Sequence, residues 1–216
     1  MKTLFIILVF LTLSFAGISN NAYQKAMGQS IEKLFQSKSI PEYIEVANQF
    51  EHISQIGKNE WLPLYYATFA NIMITFIETD NAKKDAYLDQ GQKYLDKAMA
   101  IESNESELYA LQGFIYSSRI NVDPIVRGII YVGKMKAALD KALELDIDNP
   151  RVYFLRAQMT LHMPKFVGGG AAKALSFFQK AEEKYKIFKP KTELSPNWGK
   201  EVNAVELKKV QKQAKA

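Results

Sequence analysis

The 216-residue chain has no cysteine, only two histidines and two tryptophans. Without cysteine there is no disulfide framework, no thiolate zinc site and no cysteine nucleophile. The histidines, His52 and His162, are 110 residues apart, and neither falls in a metal-ligating spacing. The chain lacks GxGxxG, GxxxxGK[ST] and GxSxG patterns, so nothing suggests a dinucleotide fold, a P-loop or a hydrolase nucleophile elbow. Sustained apolar/polar alternation is absent too, which argues against a sheet. After the N-terminus no long hydrophobic run recurs. The most apolar stretch, Ala67 to Ile77, has 11 residues, short of the roughly 20 that a bilayer span needs.

What is present starts with an address. Lys2 precedes the apolar run Leu4 to Leu13, and small residues follow at Ser14 and Ala16. This is the three-part pattern of a secretory signal peptide, with cleavage expected after Ala16. The mature chain is then exported, to the periplasm in a Gram-negative cell, with no transmembrane segment. A composition of 48% apolar, 12% aromatic and 24% charged residues fits one folded body.

The body repeats itself. A triplet spaced 0, +4, +7 recurs as Val46/Phe50/Ile53, Gly91/Leu95/Ala98, Met135/Leu139/Ala142 and Ala174/Phe178/Ala181. A matching triplet lies in preceding helices, as Tyr109/Gly113/Tyr116 and Tyr153/Ala157/Thr160. Small residues at this spacing let antiparallel helices approach, and the large one fills the gap to the next pair. The stretches KALELDIDNPRVYFLRAQ and AAKALSFFQKAEEKY resemble the tetratricopeptide (TPR) family, a likeness covering about residues 21–187. NEWLPLYYATFA, the third-unit loop and the C-terminal SPNWGKE are similar to a group of exported TPR-like proteins of Gram-negative bacteria. The Gly168–Gly170 insertion is similar to that of the TPR component of TRAP transporters.

The fold class expected is all-α: a right-handed TPR-like solenoid of about four antiparallel helix pairs plus a capping helix. The pairs are predicted at 21–36/41–56, 61–78/82–101, 105–119/127–145 and 150–162/171–187. A last helix at about 198–213 would carry an apolar face of Trp198, Val202 and Val205. In domain terms these are a signal peptide over 1–16, a repeat domain over 17–188, and a linker with cap over 189–216. The last members of the four triplets are 45, 44 and 39 residues apart, against about 34 for a standard TPR. The excess is expected in the turn inside each pair.

Function is then a matter of surface. The TPR resemblance implies a concave groove lined by the first helix of each pair. Its candidates are Tyr65, Tyr66, Phe69 and Asn71 in the second unit, Glu107, Phe114, Ser117 and Ser118 in the third, and Arg151, Phe154, Gln158 and His162 in the fourth. This aromatic and polar mixture suits a peptide or an organic ligand. The leading expectation is an exported, non-catalytic scaffold binding a protein or peptide partner in the cell envelope. The alternative is a periplasmic small-molecule-binding component like the TRAP-associated proteins. Catalytic residues, cofactor and metal are not expected, and nucleic acid is not a partner. Arg119 and Arg127 would form surface ion pairs or clamp a carboxylate, and Gly168–Gly170 would form a left-handed turn rather than a phosphate cradle. The formal charge of +5 divides unevenly. Residues 17–188 hold 20 basic and 20 acidic residues, while 189–216 hold seven Lys and three Glu. That basic end is a candidate contact to an anionic membrane.

Overall fold

A computed structural model describes residues 21–57 and 59–214; the signal-peptide segment lies outside them. Helix starts follow from capping chemistry. Asp80, Glu105, Asp123 and Asn149 each stand just before a helix and accept from its first N–H groups. Glu42 accepts from the Lys38 and Ser39 N–H groups at 2.6 and 3.1 Å. Proline occupies the first turn at Pro41, Pro63, Pro124 and Pro150, where its missing N–H costs nothing.

The resulting helices are α1 (residues 21–36), α2 (Ile40–Ile56), α3 (Leu62–Ile74), α4 (Asn81–Ile101), α5 (Ser106–Val122), α6 (Pro124–Leu145), α7 (Pro150–His162), α8 (Ala171–Ile187) and α9 (Lys200–Gln213). Among the described residues there is no strand, and no helix is long and apolar enough to cross a membrane. The chain has a TPR-like all-helical fold. Helices pair as α3–α4, α5–α6 and α7–α8, each pair packs on the next, and α3, α5 and α7 form an inner layer. All twelve residues of the four second-helix triplets are buried. Gly113, in a first-helix triplet, shows why a small residue is needed where paired helices meet: a Cβ would lie 2.6 Å from Leu139 Cδ2 of α6. The tyrosine starting each first-helix triplet repeats one bond. Tyr109 donates to the Ser103 carbonyl and Tyr153 to the Ile147 carbonyl, each six residues back.

Three details differ from expectation. The third pair has no loop: Asp123 alone separates α5 from α6, because it caps α6 while Pro124 starts it. The extra length of that unit is helix, in the 17- and 22-residue helices α5 and α6. In the second pair α3 ends at Ile74 instead of 78, where Thr75 Oγ1 donates to the Ile72 carbonyl. On α9 the Val202/Val205 face is exposed, and Asn203 and Val210 are buried instead. Asn203 Nδ2 donates to the Phe178 carbonyl at 3.3 Å, which turns that face toward α8.

Candidate functional site

The inner face is crossed by the chain's own tail. After α8, residues 188–199 run back over α3, α5 and α7. Trp198 settles among Phe69, Phe114 and Phe154, with ring centroids at 5.2, 5.6 and 6.4 Å. Its indole Nε1 donates to Tyr65 Oη at 2.7 Å, and its carbonyl accepts from Tyr185 Oη at 3.2 Å. Tyr66 Oη donates to the Leu194 carbonyl at 2.8 Å. Gly199 ends the crossing at φ 100°, a left-handed conformation that favours glycine.

Beneath this tail lies a buried polar cluster. Arg151, 0% exposed, makes a bidentate contact to Glu107 through Nε (2.6 Å) and Nη2 (2.5 Å). Asn149 Nδ2 donates to Glu107 Oε1 and to Ser106 Oγ at 2.8 and 3.0 Å. The guanidinium faces the Phe188 ring at 4.5 Å. Burial pushes the Glu107 carboxyl above the usual carboxylate range, opposed by the Arg151 charge. Burial likewise raises Tyr65, Tyr66 and Tyr185, which stay neutral and act as hydrogen-bond donors or acceptors. The cluster anchors the tail; its charges face each other rather than a ligand.

The sequence candidates therefore separate. Tyr65, Tyr66, Glu107 and Arg151 are buried at the tail anchor. Phe69 and Phe154 are buried around Trp198. Asn71 is buried toward α4, its Nδ2 donating to the Ala67 carbonyl, and a Cβ on Gly91 would lie 3.4 Å from it. Ser118 is buried as well. These eight do not form an open groove wall: the tail packs on Tyr65, Tyr66, Phe69, Phe154 and Arg151, and the other three are buried between helices. Phe114, Ser117 and Gln158 stay partly accessible, and His162 is exposed at the end of α7.

What remains open is a floor of phenylalanines. Phe114 lies 6.2 Å from Phe69 and 6.0 Å from Phe76, and Phe35 lies 6.0 Å from Phe69. Phe35 and Phe76 are each more than half exposed. Sequence reasoning missed both, since they stand at helix ends outside the repeat triplets. The available signal was a large aromatic beside turn residues, in FQSKS and TFIETD. A second hollow, open and of about 370 Å³, lies between α4, α5 and α6, lined by Tyr109, Tyr116, Lys134 and Lys141 among others.

The remaining chemistry is structural. Arg127 pairs with Asp85 through both nitrogens at 2.5 and 2.6 Å, and Arg119 with Asp89 at 2.6 Å. Both arginines are thus committed to α4. Gly168 and Gly170 take φ of 93° and 100°, and the Gly170 N–H donates to the Thr160 carbonyl. No cluster of three or more metal-ligating side chains occurs among the described residues.

No family model matches the sequence, and no curated protein matches it. Among solved structures the chain is similar to the HusA haemophore from Porphyromonas gingivalis. The likeness has 28% identity and a TM-score of 0.79, over 88% of this chain and 94% of that one. TTC0263, a thermophilic TPR protein in Thermus thermophilus, is similar at 15% identity and a TM-score of 0.47, over 88% of this chain and 98% of that one. The likeness to the haemophore extends over nearly the full length of both chains and agrees with the all-helical fold.

Proposed function

We propose that the chain is an exported, non-catalytic binding protein that holds a flat organic ligand of the porphyrin class on its inner face. The observation that carries this is the phenylalanine floor of Phe35, Phe76 and Phe114, left accessible beside Trp198. Offset or edge contacts to such rings stabilise a flat apolar face beyond the area they cover. The similarity to a haemophore over nearly the full length of both chains supports the same ligand class. Recognition here rests on stacking, with haem as the cargo. Residues 17–188 form the repeat body in this reading and 189–216 the strap and cap. The chain is exported to the periplasm by residues 1–16, with cleavage after Ala16.

The small-molecule reading leads because residues 194–198 fill the place a peptide would take. A protein or peptide partner in the cell envelope is the second reading. In its favour, Tyr66 of the inner layer already holds a backbone carbonyl, that of Leu194. Titration with haemin, followed by its absorbance, tests the proposal. Saturable binding is expected, weakened at least about tenfold in Phe76→Ala/Phe114→Ala. A titration that fails to saturate, or that the double variant leaves unchanged, contradicts it.

A further inference from the structure

Exposed apolar side chains are concentrated where the helix pairs turn back. The pairs α3–α4, α5–α6 and α7–α8 are hairpins stacked side by side, so their turns share one edge. Asn81 Nδ2 donates to the Val122 carbonyl at 3.3 Å, and Arg127 reaches Asp85, tying the second turn to the third. At this edge Ile125 is 85% exposed, Ile129 89% and Phe166 89%. Val126, Ile130 and Val167 are about half exposed beside them. Ile125 and Ile129 stand four apart, so they form one stripe along the first two turns of α6.

The charges at the edge are also sorted. Glu78, Asp80 and Asp123 are engaged by backbone N–H groups of the turns, and Asp85 is paired with Arg127. Lys83, Lys84, Lys165 and Lys173 occupy the same turns or the first turns of the helices that follow. None of them is in an ion pair with another described residue. The apolar tips project from separate turns and are not gathered into a pocket. A folded partner would need a matched hollow for each tip, whereas a fluid interface accepts projecting tips along one edge. Lysines beside them complement anionic headgroups.

We propose that this turn edge docks on a lipid bilayer surface, with Ile125, Ile129 and Phe166 entering the interfacial layer. This moves the membrane contact away from the basic C-terminus and uses none of the floor residues Phe35, Phe76 and Phe114. The test is co-sedimentation of the processed chain, residues 17–216, with vesicles. Neutral phosphatidylcholine vesicles are compared with vesicles containing a minor share of phosphatidylglycerol. Binding to both is expected, tighter to the anionic ones. Ile125→Ser/Ile129→Ser/Phe166→Ser should weaken it about a hundredfold on both. These side chains are exposed, so the helical circular dichroism should be unchanged. Lys208→Gln/Lys209→Gln/Lys212→Gln should have little effect. Absence of vesicle binding by the parent chain overturns the proposal, as does a triple serine variant that binds like the parent. A concentration-dependent dimer that the serine variant abolishes, with no vesicle binding, assigns the edge to self-association and overturns it equally.

Discussion

Gly199 and the Arg151–Glu107 pair show how single residues hold the tail. At Gly199 a Cβ would come 2.1 Å from Tyr185 Oη, and φ is 100°. Gly199→Ala is therefore expected to lower the unfolding free energy by about 2 kcal/mol or more. Urea unfolding reads this as a lower midpoint at unchanged slope. At Arg151 the cost is electrostatic. Arg151→Met leaves the Glu107 carboxylate buried without its partner, which is expected to cost about 3–5 kcal/mol. Glu107→Leu/Arg151→Met removes both charges and should be less destabilised than Arg151→Met alone. A double-mutant cycle measures this, and strictly additive costs would show that the pair is uncoupled.

At the scale of elements, α4 is tied to the α5–α6 hairpin by Asp85 and Asp89 with Arg119 and Arg127. The Arg127 guanidinium holds the Asp85 carboxyl below its ordinary value of about 4. A depressed carboxyl contributes stability that is present above the unfolded value and lost as pH falls through the folded one. Asp85→Asn should thus be less stable than the parent at neutral pH, and the gap should close below about pH 4. Urea unfolding at both pH values checks it, and a gap constant with pH would contradict the assignment. The helix pairs were legible in the sequence because triplets spaced 0, +4, +7 recur where helices must approach, and the fourth pair matches its expected limits residue for residue. The third did not, since Ile120 to Pro124 reads as a loop until Asp123 is seen to cap α6 alone. The Val202/Val205 face of α9 misled for a related reason. Periodicity marks an apolar stripe but not whether anything covers it.

For the whole molecule, the tail decides what the inner face offers. Position counting found Phe114 and Phe154, and the second unit offered Phe69 without a fixed register, but Trp198, which joins them, comes from a segment at least 44 residues further along. Such a contact has no local period and is invisible to repeat spacing. Counting also placed Glu107 and Arg151 in an open groove, whereas both are buried beneath the strap. Phe35 and Phe76 become part of the floor only once the hairpins are stacked. The central claim is that a flat ligand lies on this floor. The most direct test is proton NMR of the aromatic side chains during titration with metal-free protoporphyrin, whose ring current acts only at short range. Saturable shifts at Phe35, Phe76 and Phe114, with smaller ones at Trp198, are predicted. Shifts confined to Tyr109 and Tyr116 in the hollow between α4, α5 and α6, or no saturable shifts, would contradict the account.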